Sequence, residues 1–395
     1  MRVSLRAAVV GAVGLVLLGA LAGCGESAGA VGDYGSYSPE RADGHYDDRP
    51  SRSRGRLVES LRLGEHVVLG GELDAELSVG RGGGVLIDES GKVNDLLSGP
   101  QQAVLERYQV VAGFSALAAN KPYSVAAQPQ KFLSVALIAF PDEQTAAAAA
   151  ARDMENADFT VNPDNVPVAV EAYPASISHW RPGVATLGSW LTWKSLVIRV
   201  LAELPEADLA KLTDVVARTY QRQLAQLEAY RPTPPSELPT LTMDPDRLLP
   251  RLVKTGDYTP SGREFAVYGA HAFAAGMRSP AADFDAGKAQ GLRSVGIAHN
   301  KNIYRLRDAA AASAYAAYLA GPRAGAEYRP IRGVSGLPSV TCSQAAQPSA
   351  QTLKASRFRC FVVRDELVAE VFSNEEIDVR RLAAAQYAVM GDERR

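Results

Sequence analysis

WLTWKSLVIRVLA, residues 190–202, decides the fold of this chain. Trp190–Trp193 and Leu196–Ala202 are two runs rich in aromatic and β-branched residues, and the polar pair Lys194-Ser195 separates them. Two such runs with a short polar break predict a β-hairpin with a tight turn.

A second hairpin is predicted at FRCFVVRDELVAEVF, residues 358–372, with its turn at Arg364-Asp365. Lys194 and Arg364 lie 170 positions apart, and so do Leu212 and Leu382 in the amphipathic helices predicted after each hairpin. Each hairpin is also preceded by an apolar strand candidate and an Ala-rich helix; the strand candidates are Phe132–Phe140 and Ile297–Leu306, and the helices are Glu143–Met154 and Ala309–Leu319. Either an internal duplication or a chance similarity of two α+β units explains this register.

We therefore predict an α+β protein of two similar domains, each a mostly antiparallel sheet with helices packed on one face. The domains span residues 57–231 and 247–395, and a Pro-rich linker at 232–246 joins them. Residues 24–56 are rich in Gly, Ser, Asp, Arg and Tyr. They are predicted to form a disordered tether, because so little aliphatic surface cannot offset the entropy of ordering.

Residues 1–23 have the organisation of a secretory signal peptide. Arg2 and Arg6 begin it, and the apolar core that follows is too short to span about 30 Å of hydrocarbon. Leu21-Ala22-Gly23-Cys24 resembles the bacterial lipobox. That resemblance implies cleavage before Cys24 and acylation of this residue, which would hold the chain stably on a membrane. The alternative is an ordinary secreted protein whose cleavage site contains a Cys.

The composition is that of a globular protein. Its 395 residues, 47% of them hydrophobic and 22% charged, suffice for two domains. The formal net charge of −2 gives no indication of nucleic-acid binding or of a polybasic attachment to lipid headgroups. After the signal, no apolar run in the sequence is long enough to span a membrane.

Cys342 and Cys360 remain if Cys24 is acylated. In an exported domain a disulfide between them is the simplest prediction. A zinc site would need about four ligands, and a redox pair would more usually be Cys-x-x-Cys.

No catalytic residue, metal site or cofactor is predicted. The five histidines are scattered, at positions His45, His66, His179, His271 and His299. Ser335 lacks the second Gly of a nucleophile elbow, and Gly80–Gly84 lacks the Gly-Lys-Ser/Thr of a P-loop and predicts a flexible loop. Asp244-Pro245-Asp246 predicts a turn with Asp246 as a helix N-cap. Convergent carboxylates around Asp244, Asp246 and Asp257 would instead indicate an envelope hydrolase.

Three tryptophans form the candidate ligand or partner surface: Trp180, Trp190 and Trp193. Exposed near a Pro-rich loop they would line an apolar groove or contact lipid. The alternative is that they form the core of the hairpin, in which Trp190 and Trp193 point to opposite faces.

Four further segments carry a family resemblance. They are His66–Leu69, Asp244–Leu249, Val267–Gly269 and Ile303–Ala310. With the lipobox and the paired α+β units, they resemble a set of uncharacterised actinobacterial lipoproteins with two tandem domains. This resemblance covers residue 57 to the end and implies no catalytic residue.

The sequence therefore predicts a lipoprotein at the extracytoplasmic face of the cell membrane, anchored through Cys24. Its expected function is non-enzymatic binding of an apolar or lipid-like ligand in a groove within or between the domains. The alternative is a protein-interaction or sensory subunit of an envelope complex. A cavity favours the first function, and a large exposed apolar patch favours the second.

Overall fold

Two seven-stranded sheets with the same strand order form the described part of the protein. The computed structural model describes residues 32–87, 96–122, 130–147, 151–322, 328–346 and 356–391. The first sheet has the order β1-β2-β3-β7-β6-β5-β4, and the second has the order β8-β9-β10-β14-β13-β12-β11. Every pairing between neighbouring strands is antiparallel.

The first-sheet strands are β1 Val79–Val85, β2 Ala112–Ala119, β3 Phe132–Ala139, β4 Val166–Val168, β5 Ile177–Trp180, β6 Thr186–Trp193 and β7 Leu196–Glu203. The second-sheet strands are β8 Phe265–Gly269, β9 Ser294–Ala298, β10 Lys301–Arg305, β11 Tyr328–Ile331, β12 Val340–Ala345, β13 Phe358–Arg364 and β14 Leu367–Ser373.

The predicted α+β class with two similar antiparallel domains is confirmed, since each strand of the first sheet has its counterpart seven strands later. The described α-helices are α1 Arg52–Gly64, α2 Gly99–Arg107, α3 Glu143–Thr145, α4 Ala151–Phe159, α5 Leu209–Leu227, α6 Ala270–Ala275, α7 Pro280–Ala289, α8 Ala309–Ala320 and α9 Glu376–Gly391. None of the helices in these ranges combines the length and the apolar character needed to cross a membrane.

The two hairpin turns are equivalent, but they lie one position farther apart in the sequence than the expected 170. Lys194 and Asp365 both adopt positive φ, 49° in each case, as the first residues of two-residue turns. Lys194 therefore corresponds to Asp365 rather than Arg364. The second turn consists of Asp365-Glu366, because Arg364 is still paired with Leu367 in the ladder.

A buried glutamine repeats in the two domains. Gln223 of α5 accepts a hydrogen bond from the Val68 N–H (3.0 Å) and donates one to the His66 carbonyl (2.7 Å). Gln386 of α9 does the same with the Val253 N–H (3.1 Å) and the Arg251 carbonyl (2.7 Å). Residues 67–69 thus form a buried segment outside the sheets, and Gln223 satisfies backbone groups on both sides of Val67.

Helices cover both faces of each sheet rather than the single face expected. In the first sheet, Tyr220 of α5 donates to Ser189 Oγ, whereas Met154 of α4 packs with the neighbouring Trp190 on the other face. In the second sheet, Tyr315 of α8 packs against Tyr304, and α9 accepts a hydrogen bond from Arg364 on the opposite face. Strand β3 illustrates the reason. Seven of its eight residues are buried, so helices must pack against both of its faces.

The described part of the predicted tether is folded, so the prediction is wrong for residues 32–56. The segment 32–50, which we call the N-terminal arm, packs Tyr34, Tyr37 and Tyr46 against the core. Helix α1 begins at Arg52, with Arg54 and Gly55 buried. Aromatic rings supply the buried surface that aliphatic residues do not. Residues 24–31, including Cys24, lie outside the described residues.

The two domains share one hydrophobic core. The predicted loop Gly80–Gly84 is part of edge strand β1, and it lies directly against the second domain. The Gly80 N–H donates to the Arg278 carbonyl (2.7 Å), and a Cβ at Gly80 would lie 2.0 Å from the Met277 carbonyl oxygen. Glycine is therefore required by the close approach of the two backbones.

An ion pair also joins the domains. His271 of α6 contacts the Gly64 carbonyl oxygen through Nδ1 (2.9 Å) and lies 3.7 Å from Glu72 through Nε2. Burial disfavours the charge of Glu72, but hydrogen bonds from His271, the Leu69 N–H and Gln226 outweigh it and lower the pKa of Glu72 to about 2. Burial likewise opposes the charge of His271, and its bonds to Glu72 and Gly64 outweigh this and raise the pKa of His271.

These shifts predict how stability depends on pH. The contribution of Glu72 is present above its unfolded pKa and is lost as pH falls toward about 2. The contribution of His271 is present below its unfolded pKa of roughly 6.5 and is lost as pH rises through its higher folded pKa. Both residues therefore contribute to the free energy of unfolding between roughly pH 4.5 and 6.5. Urea unfolding of His271→Gln should show a loss of about 1.5 kcal/mol there and less above pH 8. The control is His45→Gln at an exposed site, and equal losses at all pH values would contradict the ion pair.

Candidate binding pocket

A pocket of about 100 Å³ lies between the N-terminal arm and the second domain. Its apolar floor consists of side chains that are at most 3% exposed: Leu249, Leu252, Val253, Phe265 and Ala298. Tyr46 of the arm and Tyr258 line it as well, and the charged residues of the lining are Asp43, Lys254 and Asp257. The site therefore combines a dry floor, aromatic rings and a charged rim.

The aromatic rings of the pocket pack against one another. Tyr46 meets Phe265 edge to face, with ring centroids 4.8 Å apart. Tyr258 stacks on Phe265 (5.5 Å) and on His299 (6.1 Å), with interplanar angles of 29° and 18°. Rings packed in this way lose little entropy on binding, because their orientations are already set.

Arg54 holds the arm in place. Its guanidinium donates to the carbonyl oxygens of Tyr46 (3.0 Å) and Arg49 (2.7 Å) in the arm, and to those of Pro239 and Leu241 (3.2 Å each) in the linker. It also pairs with Asp47 at 3.1 Å. The side chain is 5% exposed, so these contacts form in a nearly dry environment. One buried cation thus fixes Tyr46 relative to the linker.

The linker and the residues after it shape the floor. Asp47 accepts hydrogen bonds from the Met243 and Asp244 N–H groups, at 2.8 and 3.0 Å. Asp244 in turn accepts from the Leu248 and Leu249 N–H groups, both at 2.8 Å. The expected cap was Asp246, but Arg247 takes φ 51° and the chain turns so that Asp244 caps the 3-10 turn Leu249–Arg251.

Burial and acidic residues together affect the hydroxyl of Tyr46. Burial, followed by the charges of Asp244, Asp43 and Asp257, raises the pKa of Tyr46. Burial also raises the pKa of Asp244, against the two backbone hydrogen bonds that it accepts. At the rim Lys254 pairs with Asp257 at 2.6 Å, which lowers the pKa of Asp257 and raises that of Lys254. The electrostatic environment of the pocket is therefore predominantly negative.

The hydrolase alternative finds no convergent carboxylates. Asp244 is a backbone cap, Asp246 accepts from Ser294 Oγ (2.5 Å) and Arg305 (3.1 Å), and the side chain of Asp257 is 94% exposed. Within the described ranges no group of three or more His, Cys, Asp or Glu side chains is placed to hold a metal ion.

The three tryptophans do not form one surface, and the prediction is wrong for Trp190. Trp190 is 0% exposed and lies under α4, because its side chain points into the second helical layer. Trp180 and Trp193 are half-buried. The Trp180 indole donates to the Val184 carbonyl (2.6 Å), and the Lys194 ammonium lies 4.3 Å from the Trp193 ring. A binding role for these two remains a prediction.

The predicted disulfide between Cys342 and Cys360 is present. The two residues face each other in the ladder between β12 and β13, and they are 5% and 0% exposed.

His179 belongs to a buried polar cluster behind β5. Its Nδ1 lies 2.7 Å from Glu155 Oε1, and Arg199 lies 3.9 Å from Asp158. Burial raises the pKa of Glu155, and Glu155 raises the pKa of His179 against the effect of burial. A second cluster on the second sheet contains Arg359 and Glu370, 3.6 Å apart. These pairs offset the cost of burying their charges.

Sequence reasoning missed the arm half of the pocket. Asp43 and Tyr46 lay inside the predicted tether, and Tyr258 and Phe265 carried no recognisable motif. One signal was available, because tyrosines are depleted in segments that stay disordered.

Family models match nearly the whole described chain. The model "Domain of unknown function (DUF7373) N-terminal" matches residues 46–243, and the C-terminal model of the same family matches residues 248–393. A search of curated proteins found no match. Among solved structures, the extracellular domain of PknH from Mycobacterium tuberculosis resembles part of the chain, with 13% identity and a TM-score of 0.29. The alignment covers 40% of this chain and 93% of that domain, and at this TM-score it supports no functional conclusion.

Proposed function

The chain belongs to the DUF7373 family, whose two domains it carries in tandem, and we propose that it is a membrane-anchored, non-enzymatic binding module of the cell envelope. The observation that carries this proposal is the pocket between the arm and the second domain. Its floor is apolar and dry, and its walls are aromatic rings held by buried hydrogen bonds. Preformed pockets of this kind are typical of ligand sites.

The size of the pocket narrows the ligand. Sites for whole drug-sized molecules measure about 300–1,000 Å³, and a cavity of about 150 Å³ holds benzene. At about 100 Å³, this pocket accommodates one small apolar group, with the rest of the ligand outside it. The proposed apolar or lipid-like ligand would therefore insert one end rather than a whole acyl chain.

The location is proposed on two grounds. A buried disulfide fits an oxidising compartment outside the cytoplasm. The Leu21–Cys24 lipobox supplies the anchor, and only seven residues separate Cys24 from Gly32, where the described arm begins. The eight steps of the chain from Cys24 to Gly32 can reach at most about 27 Å, so an acylated Cys24 would keep the arm near the membrane surface.

Absence of catalysis is part of the proposal. His179 and His271, which are at most 13% exposed, serve as ion-pair partners of Glu155 and Glu72. Asp244 and Asp246, the paired carboxylates of the sequence, bond to backbone and to structural side chains. This arrangement supports binding rather than turnover.

Mass spectrometry of the full chain, purified from the envelope of an actinobacterial host, tests the proposal. Under denaturing conditions we expect the mass of residues 24–395 with two or three acyl chains and two hydrogens fewer than the reduced protein. Under native conditions we expect additional mass that organic extraction removes. A Tyr258→Ala variant should lose that additional mass and keep the acyl chains. A wild-type protein without extra mass would favour a protein partner instead, and an unacylated Cys24 would contradict the anchor.

A further inference from the structure

We propose that the pocket receives an organic ammonium group carried on a small apolar body. This inference rests on the proposed function, and it specifies the chemistry of the ligand. Three features of the pocket support it: the aromatic rings that line it, the balance of charge at its rim, and a cation that the protein already places there.

Aromatic rings make up much of the lining of this small space. Tyr46, Tyr258 and Phe265 all line the pocket, and the stacking of Tyr258 on Phe265 aligns two of them within 29°. A cation within about 6 Å of such a ring is attracted by its quadrupole, more strongly when it is desolvated. Because the floor beneath them is at most 3% exposed, a group that enters the pocket leaves water.

The charges favour a positive ligand. Asp43 and Asp257 line the pocket together with a single lysine, Lys254. Asp244 adds a buried carboxylate close enough to act on the hydroxyl of Tyr46. An anionic group would face this excess of carboxylate, whereas an ammonium group would be attracted to it.

The Lys254–Asp257 pair shows how the site selects a cation. The Lys254 ammonium lies 2.6 Å from Asp257 Oδ1, but the two side chains are 55% and 94% exposed. An exposed pair of this kind is worth little in water, so its opening costs little. A ligand ammonium can replace that of Lys254 beside Asp257 while its apolar body fills the pocket.

Three probes of equal shape and different charge test the inference. Isobutylammonium, isobutanol and isobutyrate are titrated by calorimetry into the full-length protein in nanodiscs of zwitterionic lipid, with empty nanodiscs as the blank. We expect isobutylammonium to bind about tenfold more tightly than isobutanol, and isobutyrate to bind most weakly. The preference for the ammonium should fall with rising salt.

Two sets of variants separate the inference from the proposed function. The double substitution Asp43→Asn with Asp257→Asn should abolish the preference for the ammonium, so that isobutylammonium binds no more tightly than isobutanol. Asp164→Asn with Asp214→Asn, at exposed sites remote from the pocket in the sequence, is the matched control. Equal binding of ammonium and alcohol would overturn the cation inference and leave the pocket standing. Binding of none of the probes, or binding that Tyr258→Leu does not weaken, would overturn the pocket itself.

Discussion

Replacing Arg54 by methionine is expected to lower the free energy of unfolding by about 3–5 kcal/mol, because it breaks a buried charged network. Methionine preserves most of the apolar contacts that the aliphatic part of the Arg54 side chain makes. It removes the donors to the carbonyls of Tyr46, Arg49, Pro239 and Leu241, and it leaves Asp47 without its cation. Each buried carbonyl without a donor adds a penalty of roughly 1–3 kcal/mol unless water reaches it.

The matched control for this change is Arg52→Met, since Arg52 is exposed at the first position of the same helix. That substitution should change stability by less than about 0.5 kcal/mol. Chemical denaturation of both variants gives the comparison. Arg54→Met should also release the arm and weaken probe binding in the pocket. Similar unfolding midpoints for both variants would show that the arm is not held as described.

Removal of the Cys342–Cys360 disulfide is expected to cost about 3 kcal/mol. The bridge closes a loop over a sequence separation of 18, and its loss enlarges the conformational freedom of the unfolded chain. Cys342→Ala with Cys360→Ala removes the bridge with little change of volume in a buried ladder.

Thr341→Ala on the same strand, at an exposed position, controls for the disturbance of β12. It should cost less than about 0.5 kcal/mol, and its unfolding should still respond to dithiothreitol. The double alanine variant should not respond to the reductant. If the reductant leaves the unfolding of the wild type unchanged, the bridge either does not form in solution or does not contribute.

Elements with strong local patterns could be predicted from the sequence. The hairpin of β6 and β7, strand β3 and helix α8 follow from periodicity and from polar breaks. The tandem architecture could be predicted for the same reason, since two hairpins of one pattern imply two equivalent sheets. The disulfide followed from counting cysteines in a chain that the sequence predicts to be exported.

Other elements depend on contacts between distant residues. Apolar residues recur at helical spacing in residues 101–119, but helix α2 ends at Arg107 and strand β2 begins at Ala112. Pairing with β3 decides the conformation there, and apolar residues such as Phe114 fit both patterns. Ile297–Leu306 was expected to be one strand and forms two, β9 and β10, joined by a tight turn in which His299 takes φ 54°.

The pocket also depends on contacts between residues that are distant in the sequence, so it could not be predicted from local patterns. Asp43 and Tyr46 reach it only because Arg54 and Asp47 fold the arm back onto residues about 200 positions later. Neither residue belongs to a pattern that a local window reveals. Trp190, in contrast, attracted attention by its residue type, and the alternation of side chains along β6 buries it.

Methyl NMR of the isotope-labelled protein with isobutylammonium tests the central claim most directly, because it locates the bound group. We expect saturable shifts for the methyl groups of the pocket floor, at Leu249, Leu252, Val253 and Ala298. Methyl groups around the separate small cavity, such as those of Leu73 and Leu77, should not shift. Shifts centred on that cavity, or no saturable shift at the floor, would contradict the claim that this protein binds its ligand between the arm and the second domain.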